Sequence, residues 1–384
     1  MIYYTMNPRY KKTSSGQTMT VILDLTNPDP TTWATYADDA VGMTAGSDAW
    51  DDFFGHYPCI LDNGVELGKL KRDNFGQYED GTTAPITLTG KDVMIAFPRR
   101  GIKLEYLDDN TLSVSMTTEE GKTGYSYMAH SYSNSEANLT NAVCDKFYLG
   151  AYKGHLLGNS LFSVSGVTPA GNYPIGTFRT YAHNRGTGYE QSGFFQLTFR
   201  QVMYLLKYKG QNAQIAIGQG YINSTMTHPT GGANTNGMDY GTSSGTTQVK
   251  LFGLEDFYGN VWEFIDGVYS NANRQIYVAD GNFNNTGSGY TDAGTQSFGS
   301  DVSGYLRYPN GTNLAGFTNG KQTYGTDSTY FCDIARENAS RMAIFGGDWG
   351  TSSPAGVFAL YVNRSASSTD ASFCARLMYM HVAS

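Results

Sequence analysis

The sequence predicts an α+β chain of short strands, one long helix and wide loops, and three observations predict it. Short β-prone runs recur, among them VMIAF at 93–97, IKLEY at 102–106 and TLSVSM at 111–116. A single stretch, FQLTFRQVMYLLKY at 195–208, places Leu197, Phe199, Val202, Tyr204, Leu205 and Leu206 at a spacing near that of a helix. The segments 222–248 and 281–330 are crowded with Gly, Asn, Ser and Thr, a loop composition.

Taken in order, TVILDLT at 20–26 alternates well enough for a strand, and WATYADDAVGM reads as a short helix after Pro30. Asn63-Gly64 and Asp80-Gly81 are turn signals. They suggest a smaller N-terminal section over 1–85, for docking or oligomerisation, followed by a main domain over 86–384. The runs at 102–106 and 111–116 are joined by LDDN, a hairpin turn. FYLGAY at 147–152 is a further strand, and Gly210 follows the long helix as a stop signal. A second amphipathic stretch is expected near 215–221. Gly259-Asn260 turns into a strand that puts Trp262 and Phe264 on one face. No fixed-period repeat is present.

Composition narrows the function. A net charge of −8 and only short basic clusters leave no stripe that could displace counterions, so no nucleic-acid partner is expected. Aromatic residues make up 14% of the chain, which argues for a folded protein despite its 46 glycines. No bilayer-length apolar stretch appears, so no membrane insertion is expected. The first residues lack an apolar core followed by a cleavage site, so no signal peptide is expected either. The implied route is cytoplasmic synthesis and then delivery on a carrier such as a virion, with the bacterial cytoplasm or cell surface as the alternative.

Chemistry-bearing motifs are missing. Cys59, Cys144, Cys332 and Cys374 form no CxxC and have no histidine pair nearby, so they read as buried thiols and no metal is expected. The histidines at 56, 130, 155, 183, 228 and 381 are scattered. The acidic pairs Asp51–Asp52, Asp108–Asp109 and Glu119–Glu120 read as loop punctuation. There is no phosphate-cradling loop, so neither a cofactor nor a catalytic residue is assigned.

The richest stretch is IFGGDWGTSSPAGVFALYVNRSASSTDASFCARL at 344–377. Within it Phe358, Leu360 and Val362 alternate with Ala359, Tyr361 and Asn363, the pattern of a half-buried strand. GNVWEF at 259–264, GGDW at 346–349 and CARL at 374–377 follow one another in an order that resembles the formylglycine-generating-enzyme-like branch of the C-type lectin fold. The resemblance covers about 90–384. It extends to the variable proteins of diversity-generating retroelements, with a role similar to that of phage tropism determinants. The chain departs from the family at Cys374-Ala375, where glycine and phenylalanine usually precede the arginine. It also has no cysteine over 350–372, the segment that carries the redox cysteines of the oxidases. The resemblance therefore implies binding rather than oxidation.

It further implies a C-type lectin fold with long loop insertions and a variable region at about 344–377. A fixed core would comprise Phe345, Trp349, Phe358, Leu360, Val362, Phe373 and Leu377. The outward, ligand-binding set would be Asp348, Gly350, Thr351, Pro354, Ala359, Tyr361, Asn363, Arg364, Ser368, Asp370 and Ser372. Implied partners are a bacterial surface protein or glycan receptor and phage tail proteins, with a homotrimer as the expected assembly. The alternatives are a structural tail protein or adhesin without diversification, and a carbohydrate-active enzyme.

Overall fold

The computed structural model describes residues 16–294, 298–323, 326 and 331–382. Parts of the expected 281–330 loop and the first residues of the N-terminal section lie outside this set. Three large sheets and two main helices organise the rest. Thr18–Asp24 and Thr111–Thr117 form the centre of an antiparallel sheet flanked by Ala34–Asp38 and Gly101–Tyr106.

A second sheet closes the domain on itself. The long strand Leu139–Gly150 pairs antiparallel with Leu377–Val382 at the chain's end, Met378 opposite Leu149 and Met380 opposite Phe147. Everything between them is a loop closed at its neck. Inside that loop lie the helices Ile175–His183 and Phe194–Tyr208. A third sheet is centred on Trp262–Ser270, Arg341–Phe345 and Leu360–Arg364. Mostly β-structure, much of it nested between two strands that pair with one another, is consistent with a C-type-lectin-like fold.

The Phe194–Tyr208 helix is more deeply placed than its amphipathic pattern implies. Every residue from Phe194 to Lys207 is buried. Several of its polar side chains are held by partners, because an unpaired buried polar group is costly. Gln196 Nε2 donates to the Ala129 carbonyl at 2.8 Å, Gln201 Nε2 to the Val357 carbonyl at 2.8 Å, and Lys207 Nζ meets Asp51 at 2.7 Å and Asp239 at 2.5 Å.

Three expectations are corrected. WATYADDAVGM is not a helix: Ala34–Asp38 is a strand, its register pairing Leu23 with Ala34 and Met19 with Asp38. Sheet pairing, with Trp33 and Ala34 buried, overrides a weak helical pattern. The second amphipathic stretch amounts to one turn, Ala213–Ala216, capped by Asn212, whose side chain accepts from Gln214 N and Ile215 N. Finally, no seam lies near residue 85. Thr18–Asp24 pairs with Thr111–Thr117, and Tyr57–Asp62 pairs with Asp92–Pro98, so two sheets each take strands from both sides of it.

Candidate ligand-binding face

Two of the elements that carry the resemblance are joined by one buried charge. Glu263, the acid of GNVWEF, is fully buried and receives Lys153 Nζ at 2.9 Å, Arg376 Nε at 2.8 Å and Arg200 Nη2 at 3.2 Å. Arg376, the arginine of CARL, spends its other nitrogens on the carbonyls of Gly150, Glu255 and Asp256. The three cations hold the Glu263 carboxyl well below its usual range, against the opposing effect of burial. Burial pushes Lys153 below its ordinary value although Glu263 is its partner. The two motifs thus form one ion cluster that ties the central strand to the closing strand.

GGDW serves the turn that follows. Gly346 and Gly347 have φ of 95° and 93°, and a Cβ on Gly347 would stand 2.6 Å from that of Ala355. Only glycine fits there. Asp348 closes the turn: its Oδ1 accepts from Thr351 Oγ1 at 2.7 Å and from Gly350 N at 3.0 Å. Trp349 departs from its expected place in the core. It is half-buried, held through its backbone by Asn260 and Ser224.

The strand Leu360–Arg364 also departs from the simple alternation. Leu360 and Val362 are in one core cluster as expected, but Tyr361, only 4% exposed, is in a second one. Its ring packs on Trp262 with centroids 4.6 Å apart, and the Arg336 guanidinium lies 4.7 Å from its centroid. The strand is central in its sheet and packs into a core cluster on each face, so Tyr361 is interior. Ala359 and Ser372 are buried too, and Ser372 is fixed by the Asp370 carboxylate at 2.8 Å. Ala359, Tyr361 and Ser372 are therefore part of the frame and not of an exposed set.

The remaining positions do reach solvent. Gly350 and Asp370 are exposed, while Asp348, Thr351, Pro354, Asn363, Arg364 and Ser368 are partly exposed. A β-bulge decides where Arg364 goes. Ala343 pairs with Val362 and Met342 with Arg364, so Asn363 is the extra residue. The bulge brings Arg364 to the side of Tyr361, where its guanidinium lies 5.1 Å from the Phe373 ring centroid. Burial and the charge of Arg336 hold Arg364 below its ordinary value, against the attraction of Asp370 and Asp348. The sequence reading missed Arg336. It stands on Ile334–Glu337, which pairs parallel with Leu360–Arg364 and sets Arg336 beside Tyr361. No local signal marks a residue brought in by a parallel partner.

Beneath this face, two buried carboxyls carry a pH signature. Asp333, which accepts from Phe358 N at 2.7 Å, and Glu337 are each raised to about 8, mainly by burial. A carboxyl whose folded value lies above its unfolded one stabilises the fold below the unfolded value. That advantage is lost as pH rises from about 4 to about 8. Unfolding measured across this window should show stability falling with pH, and Asp333→Asn should flatten the slope. An unchanged slope in Asp333→Asn would show that Asp333 is ionised in the fold.

No protein-family model and no curated protein matches the chain. Among solved structures it is similar to the Major Tropism Determinant U1 Variant, at 15% identity over 89% of this chain and 74% of that one, with a TM-score of 0.28. It is similar to PvdO from Pseudomonas aeruginosa at 13% identity, over 78% of this chain and 99% of that one, with a TM-score of 0.30. Treponema denticola variable protein 1 gives 10% identity over 78% and 98%, with a TM-score of 0.32. These superpositions are loose, and the assignment of the face stands on the contacts described above.

Proposed function

We propose that the chain is a binding protein, not an enzyme. Its specificity resides on Asp348, Gly350, Thr351, Pro354, Asn363, Arg364, Ser368 and Asp370, presented by a C-type lectin domain of the formylglycine-generating-enzyme-like kind. In this reading the positions are diversified by a retroelement, the protein is carried on a phage tail, and the ligand is a bacterial surface molecule. One observation carries the proposal. Between Gly347 and Phe373 the residues that fold the segment are buried, while a separate set reaches solvent without entering either core cluster. Such positions can change without unfolding the frame.

The cysteines fit this better than an oxidase. Cys374 and Cys144 are pushed up to about 12 and Cys59 is raised well above its usual value, in each case chiefly by burial. The thiolate that redox chemistry needs is scarce at neutral pH in such settings.

Replacing Thr351, Asn363, Ser368 and Asp370 together by alanine should change which bacterial strains the purified protein adsorbs to, with little change in melting. Adsorption to the same strains at the same strength would refute the assignment. The proposed assembly is a homotrimer, which multiplies a weak single-site affinity. Light scattering of the purified chain should give three times the monomer mass, and a monomer at micromolar concentration contradicts it.

A further inference from the structure

Arg336 and Arg364 lie on one side of the sheet, Arg336 on the parallel neighbour opposite Tyr361 and Arg364 beyond the bulge, each against an aromatic ring, at 4.7 Å from the Tyr361 centroid and 5.1 Å from that of Phe373. Neither makes an ion pair among the described residues, and the Nε of each is buried without a hydrogen-bond partner. Ring packing holds the two planar forks in place, so little side-chain freedom is left to lose on binding. Two such guanidiniums on one side of the sheet, neither in an ion pair among the described residues, favour an anion that bridges them. Their geometry suits the paired oxygens of a carboxylate or phosphate. The placement is unusual for a chain whose net charge is −8.

The rest of the face argues against an acidic protein as the anion's source. Asp348 and Asp370 attract Arg364 electrostatically, and each uses Oδ1 in a local turn, with Oδ2 unengaged among the described residues. Such carboxylates repel a ligand dense in negative charge but accept hydrogen bonds from the hydroxyls that separate the charges of an acidic saccharide. Trp349, half-buried in the same turn as Asp348, adds an aromatic surface of the kind on which a saccharide ring packs. We propose that this face recognises an acidic glycan, a saccharide bearing a carboxylate or phosphate that Arg336 and Arg364 grip together. The inference rests on the reading of this face as the ligand-binding surface and names the chemistry of its ligand.

The test is a glycan array with four groups of bacterial-type saccharides: uronic-acid polymers, sialic-acid polymers, glycerol-phosphate polymers and neutral polymers. The full chain should bind acidic members only, and the array distinguishes carboxylate from phosphate as the anion. Methyl esterification of a bound uronic-acid polymer should abolish its signal. Arg336→Gln and Arg364→Gln should each weaken binding about tenfold, and raising the salt should weaken the parent chain further. Arg364→Lys, which keeps charge but not the fork, should fall between the parent and Arg364→Gln. Melting curves establish that each variant is folded.

Binding to neutral members, absence of binding to any acidic member, or acidic binding that survives both Gln substitutions overturns the inference. The reading of the face fails separately. If binding of any kind is untouched by replacing Thr351, Asn363, Ser368 and Asp370, the face itself is wrong. If binding to a neutral glycan or a protein is lost in that variant, the face stands and the acidic ligand does not.

Discussion

Glu263→Gln should destabilise the protein by about 3–5 kcal/mol, the cost expected when one member of a buried ion cluster is removed and its partners are left charged. Lys153, Arg200 and Arg376 all point at this carboxylate from fully buried positions. Chemical denaturation of the parent and variant measures the effect. Arg376→Lys is the companion: it keeps the charge but loses the fork that binds Gly150, Glu255 and Asp256, and it should be destabilised as well. The pH dependence has a definite sign. Glu263 is held below its unfolded value of about 4.5, so its contribution is present above that pH and is lost as the solution is acidified through the folded value. A Glu263→Gln variant as stable as the parent would mean that the cluster does not hold the two motifs together.

Tyr361→Ala should cost about 3–5 kcal/mol, because the ring fills the space between Trp262 and Arg336 and its removal leaves a cavity. Arg364→Ala, three residues on, should move stability by under about 0.5 kcal/mol, since its head is only half-buried. The pair separates frame from face within one strand. Equal melting of the two variants would show that Tyr361 is not an interior residue. Tyr361→Phe should be close to neutral, as it keeps the ring.

The comparison of these residues also shows what could be read from sequence. GNVWEF, GGDW and CARL announced the frame because each contains residues with few substitutes: glycines at positive φ and a paired glutamate and arginine. The long helix was legible because its apolar residues recur at a constant spacing. The alternation at 358–363 was real but incomplete. Period two identifies two faces of a strand, not which of them is covered, and here the Trp262 ring and the Arg336 side chain cover the second. The bulge at Asn363 then shifted Arg364 to the side of Tyr361, a one-residue event with no sequence signature. Arg336 was invisible for the same reason. It reaches the face only through strand pairing between segments 25 residues apart in register, Arg336 opposite Tyr361. Trp33 and Ala34 misled in the opposite direction, since local helical pattern lost to sheet pairing.

The central claim, that a fixed frame carries a separately variable face, is tested most directly by sequencing this gene's 3′ region from many isolates of one lineage. The account predicts amino-acid changes concentrated at Asp348, Gly350, Thr351, Pro354, Asn363, Arg364, Ser368 and Asp370, with Gly346, Gly347, Ala359, Tyr361, Ser372 and Arg376 unchanged. Changes spread evenly along the segment, or gathered at the buried positions, would contradict it.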